Sequence, residues 1–322
     1  MTAHSPKLSV VIPIFNESAG LARFHEELLA VLEPMSIPYE VLYCDDGSHD
    51  NSGDMVKNWA QNRDSIKLVS LSRNFGKEAA LAAGLAHARG QAILMIDGDG
   101  QHPVELIPDF LAAWEQGAQV VVGLRRSNSG EGYVKQYGSK FFYYLFNKFA
   151  SEPLIPGSTD FRLIDREVQQ AFLELKENER LTRGLIDWLG FRRTFISFDA
   201  RAREHGKAGY SNRKLIGLAA NSIISLTVAP LYLFGYIGMA ITFFSFIFGT
   251  VVFLEQILLN DPLSWDFTGT ALLGIMTVFL VGIVLLSQGI LAIYISHIHA
   301  ETKQRPLYVV DYSHSAGINE KR

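Results

Sequence analysis

The sequence predicts a two-part chain: an α/β domain with a largely parallel sheet, followed by an α-helical membrane domain. Three observations carry this expectation. Up to about Lys214, short apolar runs alternate with helical patterns and charges are spread throughout, as βα repetition requires. From Leu215 to Leu254, and again from Phe267 to Ser296, no charged residue occurs. Each of these runs exceeds the roughly 20 apolar residues that cross a bilayer. Finally, three apolar runs of the first part end in polar clusters, and a parallel sheet brings such ends to one edge. The net charge of −4 over 322 residues averages two unlike halves and discriminates little.

The elements follow in order. Leu8–Ile14, Glu40–Cys44, Ile66–Leu71, Ala92–Ile96 and Gln119–Val122 read as strands, with helices at about 18–33, 51–63, 77–88 and 104–116 between them. From Tyr133 to Phe149, the residues Tyr137, Phe141, Tyr144, Leu145 and Phe149 recur at helical spacing against Lys135, Lys140 and Lys148. That pattern predicts a basic helix over 133–150 lying on an anionic membrane surface. Asn221, Ser222, Ser225 and Thr227, followed by Pro230, make 211–229 an interface helix rather than a span. The spans are expected at 231–256 and 268–295, making 230–296 the membrane domain.

The loop Glu255–Asp266 carries Glu255, Asp261 and Asp266 but no Lys or Arg, whereas Lys207, Arg213, Lys214, Lys303 and Arg305 flank the spans. Positive residues stay in the cytoplasm. A multi-pass protein of the inner (cytoplasmic) membrane follows, with residues 1–210, the 297–322 tail and both termini cytoplasmic. The tail after Arg305 is polar and is expected to be mobile. The first fifteen residues read as a strand rather than a basic and apolar leader, so no signal peptide is expected. The lone Cys44 excludes an internal disulfide and fits a reducing compartment.

The chemistry-bearing residues sit at the strand ends. Asp97-Gly98-Asp99-Gly100-Gln101-His102-Pro103 follows an apolar strand directly. Two carboxylates one residue apart suit Mg²⁺ or Mn²⁺ shared with phosphates, although an isolated pair reads equally as a turn. Gly98 lets the backbone approach a bulky ligand. Glu17, Asp45 and Asp46 are ill placed for an anion but well placed for nucleobase and ribose donors, with Asp45 or Asp46 accepting from a base N–H. Arg125 and Arg126 follow the fifth strand and are suited to clamping a phosphate bidentately. There is no G-x-G-x-x-G and no P-loop. No nucleic-acid partner is expected.

Pro13-x-x-Asn16-Glu17, Asp45-Asp46-Gly47-Ser48, Ser72-Arg73-Asn74-Phe75-Gly76-Lys77-Glu78 and Asp97-x-Asp99-x-Gln101-His102-Pro103 resemble, in order and spacing, family 2 glycosyltransferases. Thr159-Asp160-Phe161-Arg162-Leu163-Ile164-Asp165-Arg166 and Arg180-x-x-Arg183-Gly184 resemble the branch that glycosylates polyprenyl phosphates. That branch includes dolichyl-phosphate mannose synthases and bactoprenol glucosyltransferases with two C-terminal spans. The resemblance runs over about residues 8 to 300. It implies a GT-A fold and inverting transfer from a nucleotide-sugar to a polyprenyl (undecaprenyl) phosphate at the bilayer.

Carried over position by position, the resemblance gives Asp97, Asp99 and Gln101 to the metal and diphosphate, and Pro13, Phe15, Glu17 and Asp46 to the nucleoside pocket. It brings Lys77 toward the donor and places a candidate general base at Asp160. For the lipid phosphate that the resemblance implies, Lys135, Ser139 and Lys140 are candidates to meet the head group, with Arg183 and Arg203 as further acceptor-side candidates. One stretch departs from the pattern: where relatives carry Arg-x-x-Gly-x-Ser/Thr-Lys-Tyr, this chain reads Arg203-Glu204-His205-Gly206-Lys207-Ala208-Gly209-Tyr210, with Lys207 as the available substitute.

The two-span architecture puts UDP-glucose first as donor, ahead of UDP-GlcNAc, a modified pentose and GDP-mannose, and a homo-oligomer is expected. A processive polysaccharide synthase is disfavoured because Gln-x-x-Arg-Trp and further spans are missing. A non-catalytic membrane scaffold is disfavoured by the intact Asp97, Asp99, Gln101 and Arg183.

Overall fold

The structure is a computed structural model that describes residues 6–126, 155, 157–175, 177, 181–199, 236, 240–241, 243–244, 247, 269–303 and 305–318. The chain divides into two compact units, Met1–Gly209 with Arg305–Arg322, and Tyr210–Gln304.

The first unit is built on β1 (Leu8–Ile14), α1 (Ser18–Leu32), β2 (Tyr39–Asp45), α2 (Ser52–Asn62), β3 (Ile66–Ser70), α3 (Lys77–His87), β4 (Ala92–Met95), α4 (Ile107–Glu115) and β5 (Val120–Arg125). After these come β6 (Ser158–Asp165), α5 (Arg166–Glu174), α6 (Thr182–Trp188) and β7 (Arg193–Phe198). The five expected strands and four expected helices are present with ends shifted by a few residues. The helix expected over 104–116 is divided into a 3₁₀ turn, Val104–Leu106, and α4, where Pro108 sits in the first turn and tolerates the missing N–H.

The sheet order is β3-β2-β1-β4-β6-β5-β7. β1 pairs in parallel with β2 and β4, β2 with β3, and β5 with β7. The sequence reading did not find β6, which enters between β4 and β5 antiparallel to both. Its alternation is masked by Thr159, Asp160 and Arg162, so it lacks the plain apolar run that marks the other strands.

The central strands are apolar on both sides because both faces are covered. Leu8, Val10, Ile12 and Ile14 pack with Leu21, Phe24, Leu28 and Phe110 on one face. Val11 packs with Leu42, Ala80 and Ala83 on the other. Gly84 lets α3 lie close to the sheet, since a Cβ there would stand 2.4 Å from Val11 Cγ1 and 2.5 Å from Cys44 Sγ.

The polar segment after Arg305 is ordered against the sheet, which corrects the expectation of a mobile tail. Ala316 N–H donates to Leu68 O at 3.0 Å and Leu68 N–H to Ala316 O at 2.9 Å. Ser72 N–H donates to Val309 O at 2.9 Å, and Asp311 N–H to Ser70 O at 2.8 Å. Tyr308, Val310 and Ile318 pack on the apolar core. The cause is topological: β3 ends the sheet, so its outer backbone groups need partners. A chain terminated after Gln304 is expected to lose roughly 2 kcal/mol or more of stability, read from its denaturant midpoint, and to aggregate more readily.

In the second unit, α7 (Gly269–Thr302) runs for 34 residues, about 50 Å at 1.5 Å per residue. Its stretch Phe279–Ser296 has the length and apolar composition to cross a membrane, and none of it is buried. Among the described residues it is the one helix of that kind. The expected span at 231–256 is described only at Tyr236, Ala240, Ile241, Phe243, Phe244 and Ile247, all helical. The expected interface helices at 133–150 and 211–229 lie outside the described residues.

Candidate active site

The C-terminal ends of β1, β2 and β4 meet at one edge, as the parallel registers require. Pro13 lies opposite Cys44 at this end of β1. Beyond it, Asn16 takes φ 55°, a left-handed conformation that Asn tolerates. Its Oδ1 accepts from His49 N–H at 2.8 Å, and its own N–H donates to Ser48 Oγ at 3.0 Å. Glu17 N–H donates to Ser52 Oγ at 3.0 Å. These bonds lace the β1 and β2 loops together and leave the Phe15 ring 39% exposed, edge-on to His49.

Asp45 and Asp46 are committed within the protein. Asp45 Oδ1 accepts from Ser48 N–H at 3.0 Å and from Ser48 Oγ at 2.5 Å. Asp46 accepts from Phe75 N–H at 2.7 Å and from Gly76 N–H at 2.9 Å. Burial raises both carboxyls' pKa, and these donors work against that rise. Asp45 thus holds the loop after β2, and Asp46 ties that loop to the one after β3. Gly47, at φ 72°, lets the two loops touch: a Cβ there would lie 2.6 Å from the Arg73 carbonyl carbon.

The acidic strand end of β4 is joined to β6 by one lysine. Met95 pairs with Arg162, so continuing the antiparallel register sets Asp97 opposite Asp160. Lys77 Nζ, from the first turn of α3, lies 2.7 Å from Asp97 Oδ1 and 2.8 Å from Asp160 Oδ2. Burial disfavours its charge, but the two carboxylates outweigh burial and hold the ammonium above the usual lysine range. Burial likewise opposes ionisation of Asp160, yet Lys77, Arg183 and Arg162 bring it below the usual carboxylate range.

Asp97 N–H donates to His102 Nδ1 at 3.4 Å, and His102 is stacked on Phe161 with ring centroids 5.2 Å apart. Gly98 packs under this turn, where a Cβ would meet Ile12 and Ile14 methyls at 3.3 Å. Asp99 Oδ1 accepts from Gln101 N–H at 3.1 Å.

Among the described residues no group of three His, Cys, Asp or Glu side chains gathers as a metal site. The donor set is instead two carboxylates, Asp97 and Asp99, with Gln101 close by. That set fits a divalent cation completing its shell with substrate phosphate oxygens, the usual manner of Mg²⁺.

The family model of glycosyl transferase family 2 matches residues 9–172, the stretch that builds this edge. An uncharacterized glycosyltransferase of Synechocystis is 38% identical over 94% of this chain and 94% of its own length. The chain belongs to glycosyl transferase family 2. A bactoprenol glucosyl transferase of Shigella flexneri prophage SfII is 32% identical, covering 96% of this chain and 98% of its own. Among solved structures, glucosyl-3-phosphoglycerate synthase from Mycobacterium tuberculosis with Mn²⁺, UDP and phosphoglyceric acid is 21% identical, covering 69% of this chain and 77% of its own, with TM-score 0.47.

The acceptor-side candidates of this family member divide. Arg125, exposed at the end of β5, donates its N–H to Gly157 O at 2.8 Å, beside the start of β6. Arg126 Nη1 lies 3.4 Å from Asp199, an exposed pair of little energetic weight. Arg183, on α6, is close enough to Asp160 to favour its charge. Lys135, Ser139, Lys140, Arg203 and Lys207 lie outside the described residues.

Sequence reasoning missed the residues that support the site from behind. Arg162 is 1% exposed, with Nη1 at 2.8 Å from Asp187 Oδ1 and Nη2 at 3.3 Å from Oδ2. It also donates to Thr159 O at 2.9 Å and Arg183 O at 3.1 Å. A lone arginine among Phe161, Leu163 and Ile164 was the available signal. Among the described residues, Arg162→Leu leaves Asp187 the longer 3.5 Å contact to Arg193. A loss of about 3–5 kcal/mol is expected in denaturant unfolding, the usual cost of breaking a buried pair.

Proposed function

We propose that the chain transfers a sugar, with inversion, from a nucleotide-sugar to a polyprenyl phosphate, and that UDP-glucose is the donor. The observation that carries this reading is Lys77, whose one ammonium joins Asp97 on the donor side to Asp160 on the acceptor side. Similarity over nearly full length to bactoprenol glucosyl transferases supports the lipid acceptor and the glucosyl donor. The unburied apolar stretch of α7 supports a membrane location, and the Lys and Arg residues that flank the charge-free runs in sequence support a cytoplasmic first unit.

In this reading Phe15 and Glu17 face the nucleoside, and the Asp45 and Asp46 loops shape its pocket. Asp99, with Asp97 and Gln101, would hold Mg²⁺ or Mn²⁺. When bound, that ion stabilises charge developing on the departing diphosphate. Lys77 orients Asp97 and Asp160 and contributes a fixed positive charge between the two substrates. Arg125 and Arg183 meet the acceptor phosphate.

Asp160 positions rather than deprotonates. A phosphate monoester has its second pKa near 6 and is mostly a dianion at neutral pH. A carboxylate held below its usual range is a weaker base than that acceptor. Asp160→Asn is therefore expected to slow turnover by no more than roughly tenfold, with the profile over about pH 6–9 unchanged in shape. Loss of one limb of the profile would restore the base role.

The function is tested by incubating the full chain in detergent with undecaprenyl phosphate and, separately, UDP-glucose, UDP-GlcNAc, a UDP-pentose and GDP-mannose. The mass of the lipid product is read. A hexose adduct from UDP-glucose is expected; no adduct from any donor overturns the reading.

A further inference from the structure

The short helix α6, which carries Arg183, is fastened at two points by residues outside the proposed chemistry. Near its end, Asp187 is bound by the buried Arg162. At its start, both the N–H and the Oγ1 of Thr182 donate to one oxygen of Glu78, at 2.8 and 2.5 Å. Glu78 follows Lys77 directly on α3. The first turn of α3 thus supplies the ammonium between Asp97 and Asp160 and, one residue on, the carboxylate that grips α6. Residues one apart on a helix project about 100° from each other, so one turn reaches both neighbours.

The two fastenings have different consequences. The Arg162–Asp187 pair is buried and sustains the fold. The Glu78–Thr182 contact is only part-buried and joins two elements at the open edge. Arg183 follows Thr182 directly, its carbonyl accepts from Arg162 Nη1 at 3.1 Å, and its positive charge favours the ionised Asp160 carboxyl.

We infer that Glu78 is a positioning residue that sets the start of α6 against α3, so that Arg183 is presented to the acceptor phosphate beside Asp160. The inference rests on the proposed acceptor, and the tests are arranged to separate the two. In full chain with UDP-glucose and undecaprenyl phosphate, Glu78→Ala is expected to raise the KM for the lipid about tenfold while the donor KM stays within about twofold. Glu78→Gln, which keeps an accepting oxygen, restores most of the loss. Arg183→Ala gives a similar rise, and the double variant is no worse than Arg183→Ala, since residues acting through one another are not additive.

Equal rises in donor and acceptor KM, or effects that multiply in the double variant, overturn the inference. Thr182→Val removes one of the two donors and gives a smaller shift in the same direction should Glu78→Ala fold poorly. Amide exchange over residues 182–188 supplies an arm independent of the acceptor. Glu78→Ala is expected to speed it about tenfold, and unchanged exchange overturns the positioning role whatever the acceptor is. Absence of any lipid product from the unaltered chain instead overturns the proposed function.

Discussion

Replacing Asp99 by alanine is expected to abolish sugar transfer, a fall of roughly 10³-fold or more, together with metal-dependent nucleotide binding. Both oxygens of Asp97 lie within 2.9 Å of the Lys77 ammonium, so its charge is already answered within the protein. Asp99 lies two residues further along, where its Oδ1 accepts the N–H of Gln101. In the proposed site Asp99 is the second carboxylate offered to a cation brought by a diphosphate. Titration calorimetry with UDP, with and without Mn²⁺, separates the two states. The Mn²⁺-dependent part of the binding is expected to vanish in Asp99→Ala while thermal unfolding stays close to that of the parent. Unchanged turnover would remove Asp99 from the site.

Lys77→Met is expected to cost turnover about 10²-fold or more, because it removes the charge that the proposed function sets between donor and acceptor. It also leaves Asp97 and Asp160 facing each other without a cation. The side chain of Lys77 is 42% exposed, so solvent screens the pairs and the loss of stability is modest. Its pH dependence has a definite sign. Asp160, depressed in the folded state, contributes stability that is present above the unfolded carboxyl value near 4 and is lost as pH falls below it. Lys77, raised in the folded state, contributes stability below the unfolded lysine value near 10.4 that is lost as pH rises through its folded one. At pH 7 both contributions are intact, so the variant melts below the parent. Under pH 4 the gap narrows as Asp160 protonates. A gap that stays constant from pH 7 to 3 would show that Lys77 does not hold Asp160.

Much of the frame was legible because it is local. Leu8–Ile14 and Ala92–Met95 are uninterrupted apolar runs, and buried parallel strands have that signature. The clusters after them need only lie at the C-terminal ends to meet at one edge. β6 and the tail were not legible, for a shared reason. Both are polar or mixed in sequence and become strand-like only through partners far away: β6 between β4 and β5, and Val309 to Ala316 along the outer side of β3. Asp46 is expected at the nucleoside, and the structure adds a tie from it to the loop after β3. Its partners Phe75 and Gly76 are about 30 residues downstream, and no local pattern announces them.

The amino-acid sequence by itself determined the class of chemistry. Strand-end carboxylates, the family motifs and the charge-free C-terminal runs are properties of short contiguous segments, and parallel pairing places their ends together without further information. Only the tertiary structure decided which of these residues act on one another. Asp97 and Asp160 stand 63 positions apart in the chain, and they meet because β6 enters the sheet antiparallel beside β4 and α3 delivers Lys77 between them. Such an encounter depends on strand order and register, which are settled by the packing of the whole sheet rather than by any one of its strands.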